Sequence, residues 1–237
     1  MTALFHLQPL DRDGLALAQN AVANRHYLHK PVDRRCRPEG YSIQVTGYPG
    51  DAGYLLFGRP QATKCYPWYG SVDDVATGRA EVTRWQVLNL ARVWIHPALQ
   101  PNPFGNPNPH FGPRRVPGYV DRKGVFRSTL ASDAIKAALA SIGVDYLVRQ
   151  PVCFPEEPYD ILYVLSYCDP RIHRGTIYRA AGFELYRANA EGLQTWRIPI
   201  PSLTTAQRLQ VLAASQHDPR AIRYRAQRAQ VPLFQLG

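Results

Sequence analysis

The most informative stretch of this chain reads Ser166-Tyr167-Cys168-Asp169-Pro170-Arg171-Ile172-His173-Arg174-Gly175-Thr176-Ile177-Tyr178-Arg179-Ala180-Ala181-Gly182-Phe183. An apolar run over residues 161–165 leads into it, and the residues before Gly182 have the composition of a short helix. The pattern predicts a strand, a polar loop and a helix that ends at Gly182. Because open α/β sheets bind ligands beyond the carboxyl ends of their strands, the polar side chains of this loop are candidates for chemistry. They are Ser166, Tyr167, Asp169 and His173.

The composition predicts one main domain that is soluble and cytoplasmic. The chain has 237 residues, of which 45% are hydrophobic, and this is enough for one sizeable core. It has no run of about 18 apolar residues to span a membrane, and residues 1–6 do not resemble a signal peptide. The four cysteines are widely separated and form no C-x-x-C pair, so we expect free thiols. They are Cys36, Cys65, Cys153 and Cys168.

The charge of the chain favours a polyanionic partner. The formal net charge is +10, and only four of the 28 basic residues are lysine. Phosphate neutralisation releases counterions, and the planar fork of arginine suits phosphate and guanine recognition. Nucleic acid is therefore the leading partner, and the competing explanation is a general bias toward arginine.

The first half of the chain predicts one helix and three strands. Helical spacing over residues 9–28 ends before Pro31, which cannot continue a helix. Strand-like runs over 42–48 and 53–57 flank a Pro-Gly-Asp turn and predict a hairpin. Residues 87–95 are rich in branched and aromatic side chains, which predicts a further strand that carries Arg92.

The second half alternates between helical and strand-like segments. Residues 97–118 contain seven prolines and predict a long loop insertion. The pattern after it predicts an amphipathic helix from Gly124 to Gly143, strands over 145–148 and 161–165, and a helix over 175–181. A last strand falls at 183–187 or 194–198. This order indicates an α/β (α+β) fold with a mixed central sheet flanked by helices.

The last 37 residues differ in character from the rest. Residues 205–215 look helical, and the segment that follows holds Arg220, Arg223, Arg225 and Arg228. We therefore divide the chain into a catalytic domain over 1–200 and a basic helical tail over 201–237. The arginine row is either a DNA-gripping arm or a solvated helix face.

The order of elements resembles the GNAT acyltransferase fold, in which an aromatic-bearing helix ends at a glycine, as Tyr178 to Phe183 do here. A longer string is more specific. Ser166-Tyr167-x-Asp169-Pro170, followed by Gly175-Thr176-Ile177-Tyr178, resembles the signature of the phage Mom family of DNA-modification proteins. Leu90-Ala91-Arg92 and His26-Tyr27 are similar to further motifs of that GNAT-like family, which carbamoylmethylates adenine in DNA.

The resemblance implies an acyl donor of the acetyl-CoA type and a site to hold it. A helix N-terminus supplies unpaired N–H groups to a pyrophosphate, and residues 122–128 fit that need. The predicted donor-binding residues are Lys123, Gly124, Arg127 and Ser128. The competing interpretation is an ordinary capped helix start.

Three residues are predicted to carry the chemistry. Asp169 is a general base or a substrate-orienting carboxylate, or otherwise the start of an Asx-turn before Pro170. Tyr178 donates a proton to a leaving thiolate or positions the donor, or otherwise is a partly buried helix aromatic. Arg92 on a buried strand needs a partner, either a carboxylate such as Asp169 or a substrate phosphate.

The remaining candidates concern DNA and metal. His26, Tyr27, Ser166 and Tyr167 are predicted to contact the DNA substrate, together with the arginines of the tail. Tyr27, Tyr167 and Trp94 are candidates for stacking on a base, although such aromatics are more often core. His26 and His29 lie three residues apart and offer two imidazole ligands for a metal, and the resemblance to the Mom family implies iron.

The sequence therefore predicts a transferase that modifies adenine at N6 in double-stranded DNA and so protects phage-type DNA from restriction. The target base must be flipped out of the duplex, because its exocyclic nitrogen is engaged in pairing. The first alternative is a GNAT N-acetyltransferase that uses acetyl-CoA on a protein or small-molecule amine. The second is a DNA-binding protein without catalytic activity.

Overall fold

The computed structural model describes residues 4–26, 30–65, 67–101, 109–150, 160–219 and 222. The strands are β1 (Phe5–Pro9), β2 (Glu39–Val45), β3 (Gly53–Gly58), β4 (Tyr69–Gly70), β5 (Val82–Thr83), β6 (Val87–Ile95), β7 (Gly118–Val120), β8 (Phe126–Ser128), β9 (Tyr163–Cys168), β10 (Glu184–Ala188) and β11 (Gln194–Pro199). The α-helices are α1 (Arg12–Arg25), α2 (Val72–Ala76), α3 (Leu130–Leu139), α4 (Ile142–Arg149), α5 (Thr176–Ala181) and α6 (Thr205–His217).

Seven of the strands form one central sheet in the order β1-β2-β3-β6-β9-β11-β10. Neighbouring strands run antiparallel, except that β6 and β9 are parallel at the centre. The pairs β4–β5 and β7–β8 form two small additional sheets. The predicted fold class, a mixed central sheet flanked by helices, is confirmed.

The two faces of the sheet bury different helices, and β3 shows why. Its Leu55 and Phe57 belong to a core with residues of α3, α4, α5 and α6, whereas Tyr54 and Leu56 belong to a core with residues of α1. Side chains alternate between the two faces of a strand, so an uninterrupted apolar run suits a strand covered on both sides. Val211 of α6 is buried in the first core, so the start of the predicted tail packs on the main domain.

Several predicted elements agree with the structure. The hairpin of β2 and β3, the strand β6, and the succession of β9 and α5 lie where the sequence placed them. Both candidates for the last strand are present, as the antiparallel pair β10–β11. Helix α1 begins later than predicted because Asp11 caps it by accepting a hydrogen bond from the Gly14 N–H at 2.7 Å.

The region between residues 118 and 149 corrects two predictions. The helix expected from Gly124 begins instead at Leu130, and the residues before it form the β7–β8 hairpin, with Gly124 in its turn at a φ of 75°. The strand expected over 145–148 is part of helix α4, which also contains Gly143. Periodicity alone does not separate a short buried helix from a strand.

Among the described residues, none of the helices is both long enough and apolar enough to cross a bilayer.

Candidate active site

A cleft of about 910 Å³ opens at the centre of the sheet. One wall is the second half of β6, and the facing wall is formed by residues 173–178, which connect β9 to α5 and begin that helix. The C-terminal end of α1 and the residues that follow β3 complete it. The volume falls within the usual range of ligand pockets, about 300–1,000 Å³.

The cleft exists because the two central strands pair only at their beginnings. Val87–Asn89 of β6 lie against Tyr163–Leu165 of β9, and no further pairing is formed between the two strands. The hydroxyl of buried Ser166 donates a hydrogen bond to the carbonyl oxygen of Leu90 at 3.0 Å, just beyond the last paired residues. This side-chain contact ties β9 to β6 where the backbone ladder ends.

A β-bulge in β6 turns the wall of the cleft. Leu90 lies opposite Phe57 and Arg92 lies opposite Leu56, so Ala91 is the extra residue. Leu88 and Leu90 belong to the core below α3, and after the bulge Val93 packs against that same core. Bulges are common beside active sites, where they redirect side chains.

We predict that Ser166→Ala lowers the free energy of unfolding by about 1–3 kcal/mol, because the carbonyl oxygen of Leu90 loses its partner in a buried place. Urea denaturation measures the change. The control is Ser132→Ala, since this serine is also buried but bonds the Thr129 carbonyl within its own helix region, an interaction that adds little. Equal losses in the two variants would contradict a special role for Ser166.

Asn89 lines the cleft at the last position where β6 pairs with β9. Its side-chain oxygen is buried and accepts no hydrogen bond from the described residues. A buried polar atom without a partner is costly, and such atoms are rare in native proteins. The amide is therefore available to a polar group of a ligand in the cleft.

His173 and Tyr178 both line the facing wall. The centre of the Tyr178 ring lies 5.7 Å from that of Phe183, just before β10, and 6.3 Å from that of Trp196 on β11. These two contacts hold the Tyr178 ring in place. Burial lowers the pKa of His173, and nearby Asp169 opposes this effect. The imidazole is thus held neutral near physiological pH, the state in which it can accept a proton.

Asp169 is not among the residues that line the cleft. Its carboxylate accepts three side-chain hydrogen bonds from Arg171, the shortest of 2.7 Å, and it also accepts the Arg171 backbone N–H at 3.0 Å, as in an Asx-turn. These hydrogen bonds hold the pKa of Asp169 below its ordinary value. Tyr178 therefore lines the cleft and Asp169 does not. Nothing in the sequence indicates that Arg171 pairs with the Asp169 carboxylate outside the cleft lining.

Arg92 lines the cleft on β6. Its guanidinium donates to the carbonyl oxygens of Lys30 at 3.2 Å and Ala91 at 2.6 Å. The expected ion pair with Asp169 is not formed, since Asp169 pairs with Arg171. Arg92 is half-buried rather than enclosed, and it faces the space that a substrate would occupy.

The other predicted substrate residues divide into three groups. His26 and Tyr167 line the cleft, whereas Ser166 is buried beneath it and has no surface to offer to DNA. The predicted donor residues lie on or next to the β7–β8 hairpin, outside the cleft lining, where Asp121 holds Arg127 at 2.9 Å and Ser128 bonds the Leu130 N–H. The remaining predictions, Tyr27, His29, Arg220, Arg223, Arg225 and Arg228, lie outside the described residues.

Within the described ranges, no three or more His, Cys, Asp and Glu side chains are grouped to hold a metal ion. The predicted metal site includes His29, which lies outside the described residues, so it stays a prediction.

The cleft is strongly basic. Four arginines line it, and the one carboxylate among its described lining residues, Asp33, is bound to Arg35 at 2.6 Å. The arginines are Arg25, Arg59, Arg92 and Arg174. Only Arg92 was singled out from the sequence, because the others come from separate segments and form no local motif.

No protein-family model and no curated protein matches this chain. Among solved structures, it is similar to an acetyltransferase of Bacillus subtilis in complex with CoA, with 10% identity, 83% of this chain and 98% of that chain covered, and a TM-score of 0.39. It is also similar to a protein of Desulfovibrio desulfuricans assigned to the GNAT family of acetyltransferases, with 13% identity, the same coverage and a TM-score of 0.37.

Proposed function

We propose that this chain is a GNAT-type acyltransferase that moves an acyl group from an acyl-CoA thioester to an acceptor amine. The observation that carries the proposal is the separation of β6 from β9 beyond Asn89, with His173 and Tyr178 facing β6 across the cleft. A thioester donor has an extended arm that contains amide groups. The cleft provides a strand edge that suits such an arm.

The edge of β6 supports the binding of that arm. A strand points its backbone groups alternately to its two sides, and β6 uses one side for β3 from Asn89 to Ile95. On the other side, strand pairing ends at Asn89. An extended amide ligand can add to such an edge as a further strand would. The donor would lie along residues 91–95, beyond the Leu90 carbonyl oxygen that Ser166 bonds, and would supply the activated acyl carbon.

The facing wall supports the two proton transfers that acyl transfer to an amine requires. The bond from nitrogen to the acyl carbon forms while the bond from that carbon to sulfur breaks. In our proposal His173 accepts the proton that leaves the nitrogen, and Tyr178 donates a proton to the sulfur. Asp169 acts on His173 through its charge, and Arg92 binds the acceptor.

A narrower proposal is that the acceptor is the N6 amine of adenine in DNA, which receives the acyl group as an amide while the CoA thiol leaves. It is supported by the resemblance of residues 166–178 to the Mom signature, by the net charge of +10 and by the four arginines of the cleft. The cleft volume of about 910 Å³ is sufficient for a flipped base beside the end of a donor arm. The wider alternative is an amine on a protein or a small molecule.

The experiment is to incubate the purified chain with acetyl-CoA and separate acceptors, and to follow free CoA thiol. DNA from cells that express the chain is digested to nucleosides and weighed in parallel. Acceptor-dependent thiol release supports acyl transfer, and a heavier deoxyadenosine supports the DNA proposal. Thiol release no faster than hydrolysis with every acceptor, together with unmodified DNA, would contradict both.

We predict that Tyr178→Phe lowers kcat by about 10²-fold with little change in KM, because the phenol acts on the leaving group rather than in binding. Steady-state kinetics measures both constants. The matched control is Tyr119→Phe, on the exposed β7 strand outside the cleft lining, which should leave both unchanged. A variant Tyr178→Phe with full kcat would remove the phenol from the mechanism.

A further inference from the structure

Arg59, the first residue after β3, is a buried cation on the wall of the cleft. Its side chain and backbone together are only 5% exposed. The guanidinium lies 4.9 Å from the ring centre of Tyr146 and 5.5 Å from that of Trp85, and it donates a hydrogen bond to the Trp85 carbonyl oxygen. These contacts fix the position of the charge without neutralising it.

Among the described residues, no carboxylate lies within ion-pair distance of Arg59. After burial, the strongest influence on the pKa of Arg59 is Tyr146, which favours the charged form, and the cations Arg37 and Arg84 oppose it. Burial lowers the pKa of Arg59 to about 10, which leaves it protonated at neutral pH. A buried charge without a counter-ion is expensive, by several kcal/mol even after relaxation. Such a cost is typical of a binding site and unusual for a purely structural residue.

Arg84 increases the positive charge at the same place. Its guanidinium lies 5.8 Å from the ring centre of Trp85, so two arginines contact one indole. One of its terminal nitrogens donates to the Pro60 carbonyl oxygen at 2.9 Å, whereas its Nε is buried and donates to no described residue. The guanidinium groups of Arg59 and Arg84 thus place two positive charges next to the Trp85 ring, and the Nε–H of Arg84 is a buried donor that bonds no described residue.

We propose that Arg59, supported by Arg84, binds an acidic group of the acceptor, either a carboxylate or a phosphate. The inference rests on the proposed acyl transfer and favours its small-molecule alternative over adenine in DNA, since it makes the acceptor a small amine that carries an acid group. We infer a small acceptor rather than DNA because Arg59 is buried in the wall of the cleft. The phosphates of a DNA duplex stay outside a cleft, whereas an acid group on the reacting molecule enters with it. Planar guanidinium groups match both oxyanions through paired hydrogen bonds.

The test measures binding of inorganic phosphate and of malonate by calorimetry at constant ionic strength, without acyl donor. We expect saturable binding, and we expect Arg59→Met to raise the Kd of at least one of the two anions by about 10-fold or more. The control is Arg12→Met, which removes the same charge from the exposed first residue of α1 and should leave the Kd unchanged. Circular dichroism checks that the variants fold.

Arg59→Lys is the second variant, because it keeps the charge and loses the planar fork. It should bind the anion more weakly than the wild-type chain and more tightly than Arg59→Met. A duplex oligonucleotide is the third ligand, and its binding should be equal in the wild-type chain and Arg59→Met. No saturable anion binding, an unchanged Kd in Arg59→Met, or loss of duplex binding alone would each overturn the proposal. Because no turnover is measured, the anion site can hold even if acyl transfer fails, and acyl transfer can hold without it.

Discussion

Replacement of His173 by glutamine should lower kcat/KM by about 10²–10⁴-fold, the usual contribution of a positioned general base. The imidazole lines the cleft on the wall that faces β6, in the same short segment as Tyr178. Its backbone is held from both sides, since its N–H donates to the Asp169 carbonyl oxygen at 2.8 Å and its carbonyl oxygen accepts the Cys168 thiol at 2.9 Å. The side chain is therefore positioned by the turn at the end of β9.

The pH dependence of kcat/KM tests the same role with a different readout. Burial is the larger influence on His173 and lowers its pKa below 6.5, so the neutral base persists into mildly acidic solution. Activity of the wild-type chain should fall only as the pH drops through that lowered value. In His173→Gln, the fall in kcat/KM at acidic pH should disappear. In the control His6→Gln it should remain, because His6 is exposed on β1. An unchanged profile in His173→Gln would assign the base elsewhere.

The same pKa shift has a consequence for stability. The folded chain binds a proton at His173 less readily than the unfolded chain does, because burial disfavours the charged imidazole. Stability from this residue is therefore present above the unfolded pKa of 6.5 and is lost as the pH falls through the lowered folded value. Urea denaturation between mildly acidic and neutral pH should show this loss in the wild-type chain and less of it in His173→Gln.

Local signals predicted those parts of the site that depend on neighbouring residues. The strand β9, the glycine at the start of α5 and the position of Tyr178 all follow from one short stretch of sequence, in which an apolar run and two glycines mark the boundaries. The roles of the loop residues do not follow in the same way. A carboxylate before a proline can serve catalysis or cap a turn, and Arg171, two residues further on, holds it in the turn.

Long-range packing supplies the rest of the cleft. Arg59 follows β3 in a Gly-Arg-Pro sequence that predicts only the end of a strand, and it becomes part of the cleft because Trp85 and Tyr146 come to it from distant segments. The bulge at Ala91 is equally invisible in the sequence of β6, because no glycine or proline marks its position. Phe126 and Leu130 have helical spacing, so the sequence predicts the start of a helix where the structure has the β7–β8 hairpin.

The glycine at the start of α5 gives a prediction on folding. Gly175 has a φ of 66°, a left-handed conformation that other residues adopt at a cost. A methyl group at this position would overlap the indole ring of Trp196. That ring is 2% exposed and packs against Arg179, whose guanidinium lies 5.7 Å from it, so it has little room to move. Gly175→Ala should therefore destabilise the chain by about 3 kcal/mol.

The matched control is Gly78→Ala, because Gly78 has a similar φ of 71° and no atom of a described residue lies within 4 Å of the added methyl group. Gly78→Ala should lower the free energy of unfolding only by the cost of a left-handed backbone, about 1 kcal/mol. Urea denaturation of both variants separates steric overlap from backbone strain. Equal decreases in the free energy of unfolding would show that the Trp196 indole moves aside for the methyl group at position 175. A larger loss in Gly175→Ala, accompanied by a fall in kcat, would show that the contact between Gly175 and Trp196 holds the wall that carries His173 and Tyr178.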